Sequence, residues 1–140
     1  MYRLLRPLLF RIDPERAHEL TLKMLQTASG LPGGLRLLER MFRWDDARLR
    51  VDALGMTFKN PVGLAAGYDK NAFAVRGLSA LGFGHIEVGT VTVLPQVGNP
   101  RPRVHRVLEA RGLINSMGFP NAGVAALLNA PAIRAVPTDT

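Results

Sequence analysis

The stretch from Val62 to Thr90 constrains the fold more than any other part of the chain. Val62-Gly63-Leu64-Ala65-Ala66 is a short continuous apolar run, the pattern of a strand covered on both faces. Asn71 to Leu81 follows, with Ala72, Val75, Leu78 and Leu81 at helical spacing and Gly82 as the stop. His85-Ile86-Glu87-Val88-Gly89-Thr90 then reads as a second strand. A strand, a helix and a strand in succession imply a crossover, and a crossover joins parallel strands. The expected class is therefore α/β.

The segment before this unit reads as helical. Leu4, Leu5, Leu8 and Leu9 fit a short amphipathic element, with Pro7 tolerated only near its first turn. Asp13-Pro14-Glu15 is a strong helix start: Asp13 caps, Pro14 takes the first helical position and Glu15 favours the positive end of the dipole. Ala17, Leu20, Met24 and Ala28 continue that helix to Ser29-Gly30, and Leu35, Leu38, Met41 and Phe42 mark a third, closed by Trp44-Asp45-Asp46. From Leu49 to Phe58 the pattern is a small hairpin turning near Leu54-Gly55. A second hairpin is expected over Arg103 to Asn115, turning at Glu109 to Gly112, with a helix beginning in Asn121 to Asn129. The tail from Ala130 to Thr140 shows no periodicity.

Composition narrows the chemistry. With 140 residues, 47% of them apolar, the chain is long enough for one real core. It has no cysteine, which excludes disulfides and cysteine-based metal or redox sites. The net charge of +7 suits nucleic acid, an anionic membrane face or an acidic small substrate. However, the basic residues are scattered with little aromatic interleaving, so nucleic acid is not expected as a partner. Of the 18 basic residues 15 are arginine, which makes Lys23, Lys59 and Lys70 more informative than lysines usually are. His18, His85 and His105 lack metal-ligand spacing and read as structural or solvated, so no metal site is expected. Phosphate-loop, dinucleotide and serine-hydrolase motifs do not occur.

Parallel α/β folds bind ligands at the carboxyl ends of their strands. Ala65-Ala66-Gly67 stands at one such end, where missing side chains let a flat ring lie on the backbone, and Lys70 offers a positive charge beside it. Thr90 ends the second strand. Glu87, in a strand expected to be buried on both faces, calls for an arginine partner. In "GLINSMGFPNAG", Asn115 offers an amide that both donates and accepts, suited to a ring of alternating NH and C=O groups. Met117, Gly118 and Phe119 offer backbone NH groups and an apolar wall. Each of these stretches also has a plain reading: a strand ending in a tight turn, or a loop leading into a helix.

Taken together, "DPERAHELT", "MTFKNPVGLAAGYDKN", "LGFGHIEVGTVT", "PQVGNPRPRV" and "GLINSMGFPNAG" resemble dihydroorotate dehydrogenase in its quinone-linked, membrane-associated class, over about residues 1 to 128. The resemblance implies a (β/α)8 TIM barrel, incomplete in this chain, behind an N-terminal helical extension. Residues 1–44 would be the membrane and quinone-entrance extension, and 49–140 the first part of the FMN-binding barrel. It implies oxidation of dihydroorotate to orotate in pyrimidine synthesis, with ubiquinone or menaquinone as acceptor. It also implies a peripheral position on the cytoplasmic face of the inner membrane, where Arg3, Arg6 and Arg11 suit anionic headgroups. By position, Ala66, Gly67, Lys70 and Thr90 match FMN contacts, and Lys70, Asn115, Ser116, Met117, Gly118 and Phe119 match substrate contacts.

The family's catalytic serine and its phosphate-binding strands are expected beyond Thr140, so a truncated or interrupted enzyme is expected. The alternatives are a non-catalytic membrane-surface fragment and another FMN-barrel oxidoreductase.

Overall fold

A computed structural model describes residues 2–134. Helix α1 (Tyr2–Leu9) carries Pro7 in its second turn rather than its first, so one backbone hydrogen bond is missing there. Helix α2 (Pro14–Gly30) starts as its sequence dictates: the Asp13 carboxylate accepts the Arg16 N–H at 2.9 Å. Helix α3 (Gly34–Phe42) follows after a three-residue turn.

The hairpin of β1 (Val51–Ala53) and β2 (Met56–Phe58) pairs Val51 with Phe58 and Ala53 with Met56. Both of its turn residues are left-handed, Leu54 at φ 55° and Gly55 at φ 76°, as a two-residue hairpin requires. Strands β3 (Gly63–Leu64) and β4 (His85–Ile86) are parallel, in register Gly63 to His85 and Leu64 to Ile86, with helix α4 (Val75–Ala80) as the crossover. The second hairpin, β5 (Val104–Val107) with β6 (Gly112–Asn115), turns through Leu108 to Arg111. Short helices α5 (Val124–Leu128) and α6 (Pro131–Arg134) complete the order; α6 lies in a tail where no periodicity is visible, and the rest of that tail is outside the described residues.

Four expectations need correction. The second strand, expected over His85 to Thr90, is confined to His85–Ile86, where its one partner β3 pairs with it. The Val62–Ala66 strand is only two residues long and is not covered on both faces: Val62, Ala65 and Ala66 are exposed, because β3 has β4 as its sole partner among the described residues. The crossover helix begins at Val75, not Asn71, because the buried Asp69 carboxylate accepts the N–H groups of Phe73 (2.9 Å) and Ala74 (2.7 Å) and holds the preceding residues in a turn. Glu87 is exposed and forms no ion pair among the described residues; its carboxylate accepts the Ala66 N–H at 3.4 Å. With water at hand, a carboxylate there needs no cation.

The core lies between α2, α4 and the β3–β4 pair. Leu22, Ala74 and Leu78 form its buried centre, with Leu25, Leu64, Tyr68, Leu81, Phe83 and Ile86 packed around them. Gly77 sets how closely α4 meets α2, since a Cβ there would lie 2.7 Å from the Leu25 carbonyl oxygen. Arg106 ties α1 to β5 by donating to the carbonyls of Ile12 (2.7 Å) and Leu9 (3.3 Å) and lying 4.7 Å from the Phe10 ring centroid. It thereby satisfies carbonyls at the negative end of the helix.

Leu78→Ala is expected to remove about 2–5 kcal/mol of stability, whereas Leu4→Ala, at a side chain 84% exposed, is expected to stay within ~0.5 kcal/mol. Urea denaturation of the two variants checks this, and equal midpoint shifts would contradict the placement of the core.

Candidate functional site

The carboxyl ends of β3 and β4 lie side by side. The Gly67 N–H donates to the Gly89 carbonyl at 2.7 Å, which brings Ala66-Gly67 beside Gly89-Thr90. Ala65, Ala66, Gly67 and Thr90 are exposed, and a Cβ added at Gly67 would meet nothing within 4 Å. The φ of +103° at Gly67 itself favours glycine. The result is a patch of bare backbone at the strand ends, open on one side.

The turn after this patch is held from both flanks. Asp69 fixes it toward α4, as described above, and Tyr68 fixes it toward α2. His18 Nε2 donates to the Tyr68 carbonyl at 2.6 Å, and the two rings meet edge to face at 4.8 Å. The Thr21 hydroxyl gives its one hydrogen to the His18 carbonyl at 2.8 Å, so the Tyr68 hydroxyl, 2.7 Å away, donates to Thr21. Lys70 is thus presented by a turn with little freedom.

Lys70 opens into a cavity of about 370 Å³ whose lining includes Glu15, Tyr68, Arg101, Arg103 and Met117. Partial burial lowers the pKa of its ammonium group; the charge of Arg103 lowers it further, and that of Glu15 acts the other way. Glu15 is only 5% exposed. It accepts from Arg103 Nη2 at 2.7 Å and Nε at 3.0 Å, and Arg101 approaches it at 3.0 Å and Glu19 at 2.6 Å. The hydrogen bond from Arg103 holds the Glu15 carboxyl below its ordinary range, against the effect of burial and with help from the charges of both arginines.

The loop after β6 meets this cluster by its backbone. The Ser116 N–H donates to the Arg103 carbonyl at 2.9 Å, Asn99 Nδ2 donates to the Ser116 carbonyl at 2.7 Å, and the Asn99 N–H donates to the Met117 carbonyl at 3.0 Å. Asn115 turns its side-chain oxygen to the Met117 N–H at 3.4 Å. Gly118 has φ +69°, and Phe119 is exposed. Of the nine residues singled out from sequence, Lys70 and Met117 line the cavity together. Ala66, Gly67 and Thr90 form the separate strand-end patch, and Asn115, Ser116, Gly118 and Phe119 are not among the cavity's lining residues.

Sequence reasoning missed Glu15, Arg103 and Asp69. Glu15 reads as a dipole-stabilising first-turn residue, and Arg103 is one arginine among 15. The available signal was the pair of arginines fenced by prolines in "NPRPR", where a stiff backbone fixes the direction of two charges.

A mixed α/β chain with a bare strand end, a constrained lysine and an ion-paired helix in front is the class that fold and site define. The family model described as dihydroorotate dehydrogenase matches residues 48–135, and the chain belongs to that family. Among its relatives are the dihydroorotate dehydrogenases (quinone) of Roseiflexus sp. (strain RS-1), 55% identical over 130 residues, and of Acidithiobacillus ferrooxidans, 56% identical over 126 residues. The alignments cover 93% and 90% of this chain but 36% and 35% of those proteins, so the chain spans about a third of the length of these relatives. A crystal structure of DHODH from Eimeria tenella in complex with ferulenol superposes with a TM-score of 0.69 at 42% identity, over 82% of this chain and 28% of that one.

Because the folded-state pKa of Glu15 is depressed, its contribution to stability is present above the ordinary carboxyl value of 4.5 and lost as pH falls through the lower one. Wild type is therefore expected to lose more stability than Glu15→Gln as pH drops below about 4.5. Urea midpoints measured down the pH series test this; parallel profiles would show that Glu15 is not paired.

Proposed function

We propose that this chain is the N-terminal part of a quinone-linked dihydroorotate dehydrogenase, oxidising dihydroorotate to orotate in pyrimidine synthesis. Residues 1–44 are its helical membrane and quinone-entrance extension, and residues 49–140 the first part of a (β/α)8 barrel. The observation that carries this reading is the junction of α2 with the turn at Lys70 and the loop at Met117, in a chain of this family.

The residues present suit the ring of FMN. The exposed strand end at Ala65-Ala66-Gly67 leaves room for a flat group, and Thr90 adds a hydroxyl beside it. FMN, when bound there, would supply the two-electron acceptor this oxidation needs, with ubiquinone or menaquinone as the final acceptor. The chain's own residues bind and orient. Lys70 sets a half-buried positive charge where the orotate carboxylate and an electron-rich ring both gain from it. Asn115 matches the alternating NH and C=O groups of the substrate, and Ser116, Met117, Gly118 and Phe119 complete its loop. The serine that takes the proton belongs, by family resemblance, beyond Thr140.

Helix α1 exposes Leu4 and Leu8, and α3 with its exit exposes Leu37, Met41, Phe42 and Trp44. No helix of the described residues is long and apolar enough to cross a membrane. Such apolar faces beside Arg6, Arg36 and Arg40 suit a peripheral position on the cytoplasmic face of the inner membrane. Between α1 and the β5–β6 hairpin lies a groove of about 700 Å³, lined by Phe10, Leu108, Leu113 and three arginines, which suits an amphiphilic quinone. A second reading, a non-catalytic membrane-surface module, draws support from the six strands pairing only in twos, with no closed barrel among the described residues.

Two measurements decide. Extended to the length of its relatives, the protein is expected to oxidise dihydroorotate with a soluble quinone as acceptor, and Lys70→Ala to lower kcat about 10²- to 10³-fold. Undiminished turnover in the variant removes Lys70 from the site; no turnover in the parent overturns the enzymatic reading. The chain itself is expected to sediment with phosphatidylglycerol vesicles and to be released by salt. Failure to bind counts against the membrane dock and against the module alike.

A further inference from the structure

A carboxylate in the first turn of a helix is stabilised by the dipole alone and is usually left in water. Glu15 is instead buried, and the group that holds it lies 88 residues further along the chain. Arg103 is itself 6% exposed, and all three nitrogens of its guanidinium donate. Nε and Nη2 donate to Glu15, while Nη1 donates to the carbonyls of Val97 and Asn99, both at 2.9 Å. The backbone of the same arginine accepts the Ser116 N–H, and Asn99, held by its carbonyl, donates twice more to Ser116 and Met117. Gly98 lies between them with no room for a side chain, since a Cβ there would meet the Met117 carbonyl and Arg103 Nη1. A continuous set of hydrogen bonds therefore runs from α2 through Glu15, Arg103 and Asn99 to the backbone of Ser116 and Met117.

We propose that Glu15 is a positioning residue for the 115–119 loop: acting through Arg103, it fixes the Ser116–Met117 backbone relative to α2. Movement of α2 and ordering of that loop are then coupled, and whatever biases one biases the other by the same free energy. A planar guanidinium with both branches committed transmits displacement where a single lysine contact would swivel. That the loop meets orotate rests on the function proposed above; the coupling itself does not.

Amide hydrogen exchange on the whole chain tests this, read at Ser116 and Asn99, with Gly67 and Glu87 as reference amides in the β3–β4 pair. Glu15→Gln is expected to speed exchange at Ser116 and Asn99 by about tenfold or more, the equivalent of one hydrogen bond, with Gly67 and Glu87 changed far less. Glu15→Asp, which keeps the charge on a shorter arm, is expected to fall between. Glu19→Gln, which removes only the exposed partner of Arg101, is expected to leave all four unchanged. Unchanged Ser116 and Asn99, or equal acceleration at all four amides, overturns the proposal. Should Glu15→Gln not fold, Glu15→Asp decides by the same comparison. Added orotate separates the two readings: if Glu15→Gln behaves as expected but orotate fails to slow Ser116 exchange in wild type, the coupling stands and the functional assignment of the loop falls.

Discussion

The buried pair of Glu15 and Arg103 joins the helical segment to the α/β segment at the cavity that Lys70 also lines. Removing two charges from water is unfavourable, and a buried pair is stable only when its geometry is good and its remaining donors are used. Both conditions hold: two guanidinium branches reach the carboxylate, and the third donates to two backbone carbonyls. Among the described residues, neither has an equivalent partner on its own segment. If the carboxylate were lost, Arg103 would keep its carbonyl acceptors but face Lys70 without the negative charge that now offsets it. The pair thus settles packing and electrostatics at once.

The parts of this fold that are local in sequence were legible. The Asp13 cap, the Leu54-Gly55 turn and the β5–β6 hairpin each depend on residues within a few positions of one another, and the structure has them there, with the second turn one residue earlier than expected, at Leu108 to Arg111. The parallel pairing of β3 with β4 was legible too, because a crossover leaves little choice. The start of α4 was not. Periodicity alone runs the helix back to Asn71, and only the caps donated to Asp69 by Phe73 and Ala74 show why Ala72 sits at φ +56°. Burial of Glu15 was illegible for a different reason: its partner is remote, and a sequence rich in arginine gives no preference for one over another.

Site residues divide along the same line. Lys70 stood out because lysine is scarce in this chain, and its setting in a braced turn beside α2 gives that scarcity a physical counterpart. Asn115 stands out for the amide it offers, and Ser116 only through the family resemblance. In the structure both are occupied locally, Asn115 with the Met117 amide and the Ser116 backbone with Arg103 and Asn99. A loop tied by its backbone in this way is held at a fixed place relative to β5 and to Asn99. Spacing in sequence conveys which groups are offered, and long-range hydrogen bonds decide how firmly.

The bare patch at the strand ends is joined to the charged cavity by the short turn from Gly67 to Lys70. A two-stranded parallel pair leaves both outer edges unpaired, and such edges invite further strands. Further parallel strands would pair those edges, and layers packed on the two faces would bury Val62 and Leu64 and give the run the double cover its composition describes. The carboxyl ends of those strands would close around the patch at Ala66-Gly67 and Thr90, while α2, held by Glu15 and Tyr68, already closes the side at Lys70. Apolar sequence at β3 therefore calls for more cover than its single partner among the described residues supplies.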